Sequence, residues 1–218
     1  MKTNNHIVIK PWGFEYCAYR NAEVAIWVLE IEQGKATSLH CHPHKNTALI
    51  VLRGEIELSF IHDAHPHRLY GLNKINIFRG RFHRTRAVSN NVVLLEVEAP
   101  DDKRDILRLD DEYGRVDTPL EEATAPLGVS CLQIKSDKDN DSDHHFAGCF
   151  MYTNTKYTLF PFEGVWCSKN TIFVTLTGGL EHGLVPPGDA IDGKTLARFA
   201  KTFGLLPNTT FLQIWMAS

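Results

Sequence analysis

Between residues 22 and 97 the chain is a succession of short β-branched and aromatic runs separated by glycine or polar turns, and this punctuation constrains the fold more than any other feature. Runs of this length are too short for ordinary helices and suit the strands of a sandwich or barrel. The segment AEVAIWVLEIE at 22–32 is strand-like and is followed by Gly34. Residues 49–60 alternate in polarity on either side of Arg53-Gly54, which predicts a hairpin. Further strands are expected over 72–78 and 83–88, with a turn at Arg79-Gly80 between them. VVLLEV at 92–97 reads as a buried strand, and HDAHPH at 62–67 as an exposed loop.

The second half is organised differently. Residues 101–126 are charged and contain proline, as a connector would, and SDKDNDSDHH at 136–145 reads as an acidic loop. Strand patterns return from Phe146, and a final strand is expected over 210–216. Over 192–203, Leu196, Phe199, Ala200 and Phe203 recur at helical spacing, with Asp192 as N-cap and Gly204 just past the end. An internal echo links the halves. Lys45-Asn46-Thr47 precedes Gly54 as Lys169-Asn170-Thr171 precedes Gly178, a shift of 124 positions. Under that shift His40, His42 and His44 fall opposite Gly164, Trp166 and Ser168, so the second copy lacks the histidines. The expected organisation is a metal-binding barrel at 1–115, a linker and acidic loop at 116–145, and a degenerate second β unit at 146–218 with one helix.

Histidine is the unusual component, with 11 in 218 residues and many of them between His40 and His83. His40 and His42 stand at i and i+2, which on a strand places both on one face. His83 follows the Gly80 turn. Neutral imidazoles are common ligands for zinc, iron, nickel and related ions, and three of them leave coordination positions open for substrate. His40, His42 and His83 are therefore the candidate metal ligands. His44, Thr47, Arg81 and Trp12 are candidate substrate contacts. Arg81 shares the face of His83 and carries a planar fork suited to phosphate. Glu96, Glu57 and Tyr70 are positional candidates for a base, and Tyr113 and Arg115 for residues at the barrel mouth.

These residues resemble the cupin superfamily, whose first motif runs G-x5-H-x-H-x3–4-E-x6-G and whose second runs P-x-G-x2-H. Gly34, His40, His42 and Gly54 match the first; Gly80 and His83 match the second, with Phe78 in place of the proline. More narrowly, Lys10-Pro11-Trp12-Gly13, the stretch 96–100 and DILRLDDEYGR at 105–115 resemble the cupin domain of type II mannose-6-phosphate isomerases and related polysaccharide-pathway proteins. The resemblance implies an all-β double-stranded β-helix, or jelly roll, of bicupin-like form with a degenerate C-terminal half. It also implies one divalent transition metal (zinc, iron, manganese or nickel) and a homodimer formed through strand edges. Two positions depart from the narrower group: His40 replaces its usual glutamine, and the motif glutamate falls on Thr47.

Three functions follow as expectations. The first is a metal-dependent isomerase or epimerase acting on a sugar phosphate or nucleotide-activated sugar in surface carbohydrate metabolism. The second is a three-histidine iron dioxygenase or lyase, and the third a non-enzymatic sugar-binding cupin. A net charge of −3 gives no electrostatic reason to expect nucleic acid or an anionic membrane as partner. No apolar run approaches the roughly 20 residues that span a bilayer. The polar N-terminus and five scattered cysteines without CxxC spacing predict a cytoplasmic protein with reduced thiols.

Overall fold

A computed structural model describes residues 6–118, 124–126, 146–149, 155–161 and 171–216. In chain order the strands begin with β1 (His6–Lys10), β2 (Gly13–Arg20), β3 (Ala25–Ile31), β4 (Leu39–Cys41), β5 (Asn46–Arg53) and β6 (Glu55–Phe60). They continue with β7 (His67–Tyr70), β8 (Lys74–Ile77), β9 (His83–Ala87), β10 (Val92–Ala99), β11 (Leu107–Asp110) and β12 (Thr124–Pro126). β13 (Phe146–Cys149), β14 (Thr155–Pro161), β15 (Thr171–Thr177) and β16 (Ala190–Asp192) precede α1 (Gly193–Phe203), and β17 (Thr210–Met216) follows it. The acidic loop at 136–145 with His144 and His145, most of the linker, and Gly164, Trp166 and Ser168 lie outside the described residues.

The strands form three antiparallel sheets. The first is ordered β12-β1-β2-β3-β10-β5-β8, the second β11-β4-β9-β6-β7 and the third β13-β14-β17-β15-β16. From β3 to β12 the chain changes sheet at every step except β6 to β7, which is the jelly-roll pattern. Residues 49–60 show how. They do not make the expected hairpin: β5 pairs with β10 and β8, whereas β6 pairs with β7 and β9. Gly54, at φ 81°, carries the chain from one sheet to the other. A Cβ there would stand 2.8 Å from the Val92 side chain, so the corner needs both the glycine's freedom and its lack of bulk. Period-2 alternation is the same at a hairpin and at a corner, and the sequence pattern alone does not separate them.

Alternation along the strands assigns each face. Cys17, Trp27, Leu29, Ile31, Val51, Val92 and Leu94 of the first sheet pack against Ile56 and Ala87 of the second. The opposite face of the first sheet carries Tyr16, Ile26, Val28, Ile50, Leu52, Val93, Leu95 and Val97, packed against Val174, Leu212 and Ile214 of the third sheet. Asn76 links the same layers through two hydrogen bonds to the Ala190 backbone. Burying a Val, Leu or Ile side chain contributes roughly 1.5–3 kcal/mol, so both faces of the first sheet are strongly held. α1 covers the far side of the third sheet, with Leu196 and Phe199 against Phe173 and Phe211. Its start is capped as the sequence predicts, the Asp192 carboxylate accepting the Thr195 N–H at 2.9 Å. Gly204, at φ 72°, ends it. No helix among the described residues is long and apolar enough to cross a membrane.

Candidate metal centre

Strand register brings the histidines together. On β4 and β9, His40 and His83 are direct ladder partners. His42 lies one residue past β4, on the His40 side of the chain. The Gly80 N–H donates to the His42 carbonyl at 2.8 Å, tying the turn before β9 to the segment after β4. Each imidazole offers one nitrogen, and the three lie within 4.8 Å of one another. All three residues are buried, and among the described residues this is the one cluster of such donors.

Main-chain carbonyls set the tautomers. His40 Nδ1 is 2.9 Å from the Ser38 carbonyl, His42 Nδ1 2.6 Å from that of Asp105, and His83 Nδ1 3.0 Å from that of Arg81. A carbonyl only accepts, so each Nδ1 carries the hydrogen and donates it. Each Nε2 is left with a lone pair, and His42 Nε2 is buried without a hydrogen-bond partner. The rings are also held neutral. Burial, then the neighbouring His83 and His42 rings, holds His40 well below the ordinary imidazole value. Burial and the Lys45 charge lower His42 to about 3. Burial lowers His83 to about 4, against the bond to Arg81, which favours the charged form. Neutral, Nδ1-anchored imidazoles are the donor set a transition metal takes, so these residues fit the ion that the motif resemblance implies.

A cavity of about 70 Å³ opens beside the cluster, lined by His40 and His42, by Trp12, Thr37 and Ile106, and by a set of charged side chains. On β10 the inward parity of Val92 and Leu94 continues into Glu96 and Glu98. Lys45 Nζ stands 3.0 Å from Glu98 and 2.9 Å from the Asp102 carbonyl, with its side chain 1% exposed. Lys103 Nζ lies 3.0 Å from Glu98, 3.4 Å from Glu15 and 3.7 Å from Glu96, over the Trp27 ring. Lys10 approaches Glu15 at 3.5 Å. Burial pushes the Glu96 carboxyl up to about 7, and Lys103 offsets this only in part. Burial acts on Glu98 as well, but Lys103 and Lys45 outweigh it and hold that carboxylate ionised.

The other sequence candidates divide. Trp12 is buried and lines the cavity. Thr47 is buried on the Leu49 side of β5, and its Oγ1 has no hydrogen-bond partner. His44 is exposed, and only its backbone N–H is engaged, by the Asp105 carboxylate. Arg81 is also exposed; its guanidinium stacks 3.5 Å from the Phe60 ring and pairs with Asp63. Neither His44 nor Arg81 lines the cavity. Glu57 pairs with Arg68 on the outer face, and Tyr70 is exposed, which leaves Glu96 alone of the positional bases at the site. Arg115 lines the cavity mouth in an ion pair with Asp111. Sequence reasoning missed Glu15, Lys45, Glu98, Lys103 and Asp105. Carboxylates at alternate positions of an otherwise apolar run, as in VVLLEVE, were the available signal.

No protein-family model matches the sequence, and no curated protein matches it. Solved structures do. KdgF from Halomonas sp. is 11% identical with a TM-score of 0.41, the match covering 44% of this chain and 87% of that one. The capsular polysaccharide assembling protein CapF from Staphylococcus aureus is 16% identical with a TM-score of 0.42, over 48% of this chain and only 34% of its own. An RmlC-like cupin from Shewanella frigidimarina is 15% identical with a TM-score of 0.41, over 46% of this chain and 88% of its own. The fold itself is an all-β jelly roll, with the histidine cluster between its first and second sheets.

Proposed function

We propose that the chain is a metal-dependent enzyme of isomerase or epimerase type, acting on a small, oxygen-rich, sugar-derived substrate. The observation that carries this reading is the anchoring of three neutral imidazoles through Nδ1, beside a cavity that also contains a carboxyl poised near neutrality. His40, His42 and His83 would hold one divalent ion, of zinc, iron, manganese or nickel. Such an ion supplies Lewis acidity toward a carbonyl or hydroxyl oxygen. Glu96 takes a proton from the carbon adjacent to the carbonyl carbon, the electron pair shifting onto the carbonyl oxygen, and then returns the proton to carbon, a task that suits a carboxyl whose pKa is about 7. Lys103 orients Glu96, and Trp12 and Leu29 exclude water from one wall. At about 70 Å³ the cavity takes only the reacting end of a sugar phosphate or nucleotide-activated sugar. The second half, in this reading, is a degenerate repeat that covers the back of the barrel.

Purified protein is expected to carry close to one divalent ion per chain, and the double change His40→Ala, His42→Ala to abolish it. Full occupancy in the double variant would remove the proposed centre. One observation favours a second reading: Thr47 stands where the motif has a carboxylate, leaving an all-imidazole donor set of the kind an iron dioxygenase or lyase could use. Iron in the purified protein together with substrate-dependent oxygen uptake selects the dioxygenase; zinc or manganese with sugar turnover selects the isomerase.

Asp105 is the main support outside the ligands. Its carbonyl accepts from His42, and its carboxylate accepts the backbone N–H groups of His44 and Lys45. Asp105→Ala should weaken zinc binding by about 10- to 100-fold through loss of that scaffold. Unchanged affinity in a zinc titration would show that the turn holds itself.

A further inference from the structure

Among the buried polar atoms with no hydrogen-bond partner are His42 Nε2, Thr47 Oγ1 and Glu98 Oε2. Two of them are linked by register, since Glu98 and Thr47 are direct partners in the β5–β10 ladder and lie on the same face. Side chains so paired have Cβ atoms about 4.5–5.5 Å apart. The Glu98 side chain is 1% exposed and lines the cavity. One of its oxygens is taken by Lys45 and Lys103, and the other is left free. Leaving a buried anionic acceptor without a donor or cation is costly.

A divalent ion held by three neutral imidazoles carries its full double charge into the barrel, where Lys45 already places an ammonium. Such a site needs an anion nearby. Thr47 cannot supply it. We propose that Glu98 is the anionic partner of the centre: the carboxylate that the first motif puts on β5 is here supplied from β10, across the ladder from Thr47. This rests on the reading of the histidines as a metal centre. Glu98 stands outside the tight group of three imidazole nitrogens and acts by balancing charge from the adjoining wall. Lys45 and Lys103 keep it ionised and aimed.

The test is zinc alone, titrated into metal-free full-length protein against a chromophoric chelator. Glu98→Gln keeps the shape and removes the charge, and it should weaken zinc binding by about tenfold or more. Thr47→Glu with Glu98→Gln moves the carboxylate to the other member of the cross-strand pair and should restore affinity to within about threefold of wild type. If Glu98→Gln alone does not fold, this double variant decides. The inference is overturned by Glu98→Gln binding zinc as tightly as wild type. It is equally overturned by a folded double variant that stays about tenfold weaker than wild type. Wild type that binds no zinc, iron, manganese or nickel would instead overturn the metal reading itself.

Discussion

Gly13→Ala is expected to lower the thermal midpoint by roughly 10 °C, or to prevent folding, because it costs about 3 kcal/mol or more. Gly13 closes the turn between β1 and β2, opposite Lys10, at φ 143°. That angle is strained for any residue with a Cβ. The clash adds to the strain, since a Cβ at Gly13 would lie 2.0 Å from the Glu30 carbonyl oxygen. The obstacle is main chain at the end of the β2–β3 ladder, where Gly13 pairs with Ile31 and Phe14 with Glu30, so no rotamer change relieves it. Function should suffer with stability, as this turn places Lys10 and Trp12 in the cavity wall. Thermal unfolding checks the point. A midpoint within about 2 °C of wild type would show that the turn can reshape at little cost.

Lys103→Met should destabilise the protein by about 3 kcal/mol at pH 8, and by much less at pH 5. The lower end of the cost of breaking a buried ion pair is appropriate, since the Lys103 side chain is 27% exposed and partly screened. Its partners are more deeply placed, with Glu98 1% and Glu15 8% exposed. In wild type the pull of Glu15, Glu98 and Glu96 on the ammonium outweighs its burial and raises its pKa. Without it Glu96, which burial already pushes up to about 7, loses its main opposing charge and rises further above its unfolded value of about 4.3. A carboxyl whose folded pKa is raised contributes stability that is lost as pH climbs through that pKa. The deficit of the variant should therefore be larger at pH 8 than at pH 5, opening as pH rises through about 7. Urea unfolding of both proteins across that range measures it, and an equal deficit at both ends would mean that Lys103 contributes by packing on Trp27 rather than by charge.

The two parts of the site differ in how far the sequence revealed them. His40 and His42 are legible because a strand has period 2, and any strand through them points both rings the same way. That His83 meets them is a fact of register, which local pattern does not contain; the resemblance to a known motif supplied it. The strands β3, β10, β15 and β17 were legible from their composition, as was α1 from its period and caps. β1, β2 and β11 were not, being short or mixed in polarity. The most opaque segment was 101–105, DDKRD, which reads as a solvated connector. Asp105 from that run is buried and braces His42, and Lys103, half-buried, pairs with three glutamates. A charge run shows its partners only when the opposing strand is placed beside it.

The anchoring of all three imidazoles on carbonyls has a consequence for how such a protein can change over time. Ser38, Asp105 and Arg81 hold the rings through atoms that every amino acid possesses. A substitution at those positions that leaves the main-chain path alone keeps the acceptor. The cavity wall is different, being made of lysine, glutamate and tryptophan side chains that single mutations erase or reverse. Selection can thus exchange the chemistry around the rings while their aim is inherited unchanged. A lineage built this way can vary the wall by drift while the three ring nitrogens stay converged.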